Sequence, residues 1–97
     1  MIEITRIKNE HGENIGFRCL GHAGFAKYGK DIVCAAVSGL VLNTINSIEA
    51  FTEDKFSCAQ EEKSGLVEFI IVSEVSKESA LLMDSLFLGL TNIQHDY

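Results

Sequence analysis

Apolar and polar residues alternate in four short segments of the chain, and this pattern is typical of half-buried β-strands. The four segments are residues 2–7, 15–20, 56–58 and 67–72. Polar and glycine-containing stretches at residues 9–14 and 61–65 separate them in pairs and favour turns. The pattern therefore predicts two β-hairpins.

Two longer segments carry apolar residues at steps of three and four, which predicts amphipathic helices. The first runs from residue 32 to about residue 51, with Asp31 as its N-cap, and the second follows a cap at Ser76. The first apolar stripe consists of Val33, Val37, Leu40, Val41, Ile45 and Ile48. The second consists of Leu82, Met83, Leu86, Phe87, Leu90 and Ile93.

The order of elements is strand, strand, helix, strand, strand, helix, which predicts an α+β fold. We expect two β-β-α halves that form one mainly antiparallel sheet, with both helices packed on one face. The 97 residues suffice for one core, so residues 1–97 are predicted to be a single domain.

Charge and composition narrow the class of protein. The net charge of −6 argues against a general phosphate-binding surface and favours a basic protein or peptide as partner. No apolar stretch approaches the roughly 20 residues that span a bilayer, and no basic and apolar leader begins the chain, so we expect a cytoplasmic protein. The three cysteines match neither a zinc site nor a C-x-x-C motif, and no cofactor is predicted.

The candidate chemistry lies at His22 and Cys34, on either side of one loop. Cys34 falls in the first turn of the first helix, where unpaired amides and the helix dipole favour a thiolate. A thiolate beside an imidazole is the minimal apparatus for nucleophilic acyl transfer. Asp31 and Ser38 are the nearest carboxylate and hydroxyl that can support this pair.

The loop between the two residues is the predicted substrate-binding segment. Its aromatic residues, Phe25 and Tyr28, either close over an apolar peptide or pack back onto the domain, and both alternatives are open. The other predicted members are Gly21, Ala23, Gly24 and Gly29. Elsewhere, Cys19 and Cys58 are expected in the core, whereas His11 and His95 are expected on the surface.

The segment Gly21-His22-Ala23-Gly24-Phe25, then Tyr28-Gly29, then the run from Asp31 through Cys34 to Ser38, resembles the signature of the bacterial ribosomal-processing cysteine protease family. The resemblance implies an endopeptidase that removes a short N-terminal extension from a large-subunit ribosomal protein, cutting after an aromatic residue. It places the nucleophile on Cys34 and the base on His22, in a homodimeric enzyme.

Two other hypotheses compete with this one. A noncatalytic ribosome-associated protein would bury Cys34 as an ordinary core thiol, and a redox sensor would need a resolving cysteine near it. Self-association has its own signal in the residues, because apolar positions remain outside the predicted core, namely Ile70, Val72, Leu81 and Leu88.

Overall fold

The computed structural model describes residues 3–20, 31–61 and 63–96. Two helices and four strands follow in the predicted order. The elements are β1 (Glu3–Lys8), β2 (Asn14–Leu20), α1 (Asp31–Phe51), β3 (Phe56–Glu61), β4 (Leu66–Ile71) and α2 (Lys77–Asp96). The predicted hairpins, β1–β2 and β3–β4, are both present.

The four strands form one antiparallel sheet in the order β1-β2-β4-β3. The central pair, β2 and β4, joins the two hairpins, so β1 and β3 are the edge strands. Cys19 of β2 lies opposite Val67 of β4, and Glu61 of β3 lies opposite Leu66 of β4, so β2 and β3 both finish at one end of the sheet. We call this end the Leu20 end.

The core lies between the sheet and the two helices, which share one face of the sheet as predicted. Phe17 of β2 and Phe69 of β4 stack with their ring centroids 5.3 Å apart, and Phe87 of α2 meets Phe17 edge-on at 6.4 Å. All three side chains are buried. The two predicted helix stripes enter this core, with Val33, Leu40, Leu82 and Ile93 at its margin.

Helix α2 lies over the β1–β2 half of the sheet, where Phe87 contacts Phe17 and Arg6, and we infer that α1 lies over the β4 half. The Arg6 guanidinium carbon of β1 lies 4.5 Å from the centre of the Phe87 ring and closes the core at that edge. The helices approach closely at Gly89, where an added Cβ would lie 2.9 Å from Cδ1 of Leu40. Among the described residues, no helix is both long and apolar enough to cross a membrane.

The N-terminus of α2 is capped as predicted. Ser76 Oγ accepts a hydrogen bond from the Ser79 amide at 3.1 Å, and the Ser76 amide and hydroxyl both donate to Asp54 Oδ2. Burial raises the pKa of the Asp54 carboxyl, but hydrogen bonding outweighs it and the net shift is downward. The Ser79 hydroxyl is a further candidate donor to this carboxyl, but its Oγ has no partner at hydrogen-bond geometry among the described residues. We therefore assign the lowered pKa of Asp54 mainly to the two hydrogen bonds from Ser76.

The prediction for Cys58 is wrong, whereas that for Cys19 is confirmed. Cys19 is fully buried, but Cys58 is exposed. Cys58 does share the helix-facing side of the sheet, since it lies directly opposite the buried Phe69. Because β3 is an edge strand, the helices do not extend over this side chain.

The four apolar residues outside the predicted core, Ile70, Val72, Leu81 and Leu88, do not form one surface. Leu81 and Leu88 are 69 % and 65 % exposed on the side of α2 that faces away from the sheet. Ile70 is half-buried and Val72 is 66 % exposed, and both alternate with core residues and so face the opposite side of the sheet. The two groups therefore lie on opposite sides of the molecule.

Candidate active site

Cys34 is the fourth residue of α1, so its predicted place in the first helical turn is confirmed. The first four amides of a helix have no intrahelical acceptor, and they carry the positive end of the helix dipole. Asp31, predicted as the cap, is itself the first residue of the helix. The backbone around Cys34 is thus arranged to favour an anion.

The start of α1 lies at the Leu20 end of the sheet. Residues 52–55 connect the end of α1 to the start of β3, which lies at the opposite end. The 21 residues of α1 span about 30 Å and bring its first turn back along the sheet. The end of β2 and the beginning of α1 therefore lie at the same end of the molecule.

The predicted base and the predicted substrate-binding segment lie outside the described residues. These are His22 together with Gly21, Ala23, Gly24, Phe25, Tyr28 and Gly29. The described chain resumes at Asp31 and ends before them at Leu20, so the two flanking elements are described. The roles predicted for this segment remain predictions.

Ser38 shares one face of α1 with position 34, because residues four apart lie on the same side of a helix. Val41 and Ile45 continue this face and are buried, and Ser38 is half-buried. Leu40, which contacts α2, lies about 120° around the helix from position 34. The face with Cys34 and Ser38 is therefore the flank of α1 that is turned away from α2.

The two other histidines both lie on the surface of the described structure. His11 is exposed in the β1–β2 turn, at the opposite end of the sheet, and lies 3.8 Å from Glu10. His95 is exposed in the last turn of α2. Both surface positions agree with the predictions. Within the described ranges, no cluster of three histidine, cysteine or acidic side chains is placed to hold a metal ion.

Comparison with known proteins identifies the family. A family model described as cysteine protease Prp matches residues 1–97. The chain belongs to the cysteine protease Prp family. The ribosomal processing cysteine protease Prp of Bacillus subtilis is 29 % identical over 102 residues, covering 100 % of this chain and 90 % of the relative.

Two solved Prp structures from Staphylococcus aureus share the fold. The essential ribosomal processing protease Prp in complex with a substrate peptide has a TM-score of 0.89 and 25 % identity, and the match covers 100 % of this chain and 92 % of that one. The second, with a covalently linked product peptide, has a TM-score of 0.86, 26 % identity and the same coverage. The predicted α+β architecture is therefore the Prp architecture.

Proposed function

We propose that this chain is a cytoplasmic cysteine endopeptidase that removes a short N-terminal extension from a large-subunit ribosomal protein. The observation that carries the proposal is the place of Cys34 in the first turn of α1, in a chain of the Prp family. Cys34 is the nucleophile and His22 the base. Asp31 and Ser38 support them from the same helix.

The roles proposed for Cys34 and His22 define the reaction. The Cys34 thiolate attacks the scissile carbonyl carbon, and the resulting oxyanion accepts hydrogen bonds from free amides at the start of α1. Collapse breaks the C–N bond, and protonated His22 donates its proton to the departing amine. Water then attacks the thioester while His22 accepts its proton, which releases the acid and restores the thiolate. The covalently linked product peptide of the Staphylococcus aureus relative supports a covalent intermediate.

The substrate assignment rests on the names of the relatives and on charge. The relatives are named ribosomal processing proteases, and a chain of net charge −6 attracts a basic protein. An aromatic residue before the cut and closure of the loop by Phe25 and Tyr28 complete the proposal. The proposal includes no metal, no membrane and no direct nucleic-acid partner.

The protein acts as a homodimer in this proposal. Leu81 and Leu88 lie seven residues apart and form an exposed apolar stripe on the outer side of α2. The expected result is a dimer by light scattering at micromolar concentration, with Leu88→Glu shifting it to monomer while leaving the circular dichroism spectrum unchanged. A monomeric parent protein would contradict the dimer without affecting the protease assignment.

Peptide cleavage tests the catalytic proposal directly. The purified chain, mixed with a synthetic peptide that spans the extension junction, should yield two products that mass spectrometry identifies. Cys34→Ala and His22→Ala should each abolish cleavage. The matched controls are Cys19→Ala and His11→Ala, which remove the same side-chain types elsewhere and should retain cleavage, provided that thermal melting shows each variant folded.

Two outcomes would overturn the proposal. Cleavage by folded Cys34→Ala would show that Cys34 is not the nucleophile, and cleavage by folded His22→Ala would show that His22 is not the base. If the parent protein binds the peptide without cutting it, the noncatalytic ribosome-associated alternative is favoured. Replacing the aromatic residue before the cut by alanine should raise KM or lower kcat, and an unchanged kcat/KM would contradict the aromatic preference.

A further inference from the structure

The two free edges of the sheet differ in how well they are protected against pairing with another strand. The β1 edge carries Glu3, Arg6 and Lys8, and its register is interrupted between Ile7 and Lys8. Charges and irregular pairing are the usual protection of an edge. In contrast, β3 keeps regular register with β4 through all six residues and carries a single charge, at Glu61.

The backbone groups that face the free edge of β3 follow from one hydrogen bond. The Val72 amide donates to the Lys55 carbonyl at 2.8 Å, so Lys55 faces β4. Successive residues of a strand direct their amide and carbonyl to opposite sides, so Phe56, Cys58 and Gln60 face the free edge. The structure describes no strand that pairs with these three residues. They present alternating donors and acceptors to an extended chain.

The topology turns the flank of α1 that bears position 34 toward this side of the sheet. Helix α2 lies over β1 and β2, so the flank of α1 turned away from α2 faces the β3 side. The side chains of Cys58 and Gln60 lie on the helix-facing side of β3 and are exposed, so the space above them is open. Strand β3 also ends at the Leu20 end, where α1 begins.

We propose that the free edge of β3 binds the peptide substrate as an added strand of the sheet. This inference rests on the proposed endopeptidase function and names the surface that delivers the peptide to Cys34. Strand addition provides affinity through main-chain hydrogen bonds, and alternate side chains of the peptide meet the open space above Cys58 and Gln60.

Charge favours a peptide over a second copy of this chain at the edge. A second copy carries the same net charge of −6 and offers this edge no charge complementarity, whereas a basic peptide does. Glu61 adds a negative charge on β3 at the end that leads to the start of α1. The occupant is therefore an extended, basic peptide segment.

Amide hydrogen exchange by NMR tests the placement. The inactive Cys34→Ala chain is saturated with the junction peptide, and saturation is checked by anisotropy of a labelled copy. Exchange at Phe56, Cys58 and Gln60 should slow at least about tenfold, as expected for about 1.4 kcal/mol per hydrogen bond. Ser57 and Ala59, whose amides already face β4, are internal references and should change little.

Kinetics provide a second, independent measurement. Cys58→Pro and Cys58→Ala both remove the thiol, but only the proline variant removes the outward amide, and proline is tolerated where an edge amide faces solvent. KM for the junction peptide should be about tenfold higher in Cys58→Pro than in Cys58→Ala, with kcat within about twofold. If the proline variant does not fold, the exchange measurement decides.

The outcomes separate this inference from the proposed function. If the parent chain cleaves the peptide but the outward β3 amides are unaffected by saturating peptide, the docking surface is wrong and the protease assignment stands. If the parent chain neither binds nor cleaves the peptide, both proposals fail. Protection of these amides without peptide, rising with protein concentration, would show that a second copy occupies the edge and would overturn the inference.

Discussion

Replacing Gly16 by alanine should destabilise this protein more than a single methyl group ordinarily does. Gly16 lies in the central strand β2 opposite Ile70 of β4. A Cβ at this position would collide with the Phe69 carbonyl oxygen and would lie 3.0 Å from Cα of Ile70. Both obstacles are backbone atoms, so no side-chain rotation relieves the collision.

The expected loss of stability depends on how far the backbone of β4 must shift. Forcing one extra carbon into a close-packed site costs about 1–3 kcal/mol, and the upper value applies when the surroundings cannot repack. A domain of this size has a total stability of about 5–15 kcal/mol. At about 4–8 °C per kcal/mol, Gly16→Ala should lower Tm by about 12–24 °C.

Gly39 is the matched control. It lies inside α1, it is exposed, and an added Cβ would meet nothing within 4 Å. Alanine exceeds glycine in helix propensity by about 1 kcal/mol, so Gly39→Ala should raise Tm by about 4–8 °C. The same chemical change thus has opposite effects at two positions.

Thermal and urea unfolding, followed by circular dichroism, measure both variants. The reasoning fails if Gly16→Ala unfolds within about 1 kcal/mol of the parent, or if the two variants shift in the same direction. A Gly16→Ala chain that does not fold is consistent with the collision. In that case the double variant Gly16→Ala with Gly39→Ala, if it folds, provides the loss in the free energy of unfolding.

Three further predictions concern capping, the edge of the core and thiol exposure. Asp54→Asn should lower the free energy of unfolding by about 1 kcal/mol at pH 7, because it weakens the α2 cap. The folded-state pKa of Asp54 lies below its ordinary value of 3.8, so the carboxylate stabilises the fold above that pH. The gap between variant and parent in urea unfolding should therefore close as the pH falls through the folded-state pKa, and a gap that persists in acid would contradict this. Arg6→Gln should lower stability by about 0.5–1 kcal/mol through loss of the contact with Phe87, whereas Arg6→Lys should lose less, and equal losses in urea unfolding would exclude the cationic contact. Iodoacetamide should alkylate Cys58 in the native protein and Cys19 only after unfolding, as read by peptide mass spectrometry, and rapid native labelling of Cys19 would contradict its burial.

The elements of this fold could be read from the chain because each carries its own periodicity. The α2 stripe is an example: Met83, Leu86, Phe87 and Leu90 recur at helical spacing and are buried. The cap at Ser76 was equally local, since it depends on a hydroxyl three residues before the amide that it accepts from. Both features are local, whereas the two hydrogen bonds from Ser76 to Asp54 join residues 22 apart in the chain.

In the candidate site, too, some features follow from the local sequence and others depend on contacts between distant residues. The place of Cys34 in the first turn of α1 follows from the apolar run that begins beside it, so the sequence alone predicted it. Which flank of α1 carries Cys34 relative to α2 depends on the packing of Leu40 against Gly89. That packing joins residues far apart in the chain, so no local pattern reports it.

Cys58 shows most clearly what only the tertiary structure decided. Its alternation with Ser57 correctly indicated the helix-facing side of the sheet, yet the side chain is exposed because β3 is the edge strand. Alternation specifies which face a residue takes, whereas burial depends on what lies above that face. The order β1-β2-β4-β3 and the placement of two helices over it are set by long-range pairing and packing, and these leave no trace in the spacing of neighbouring residues.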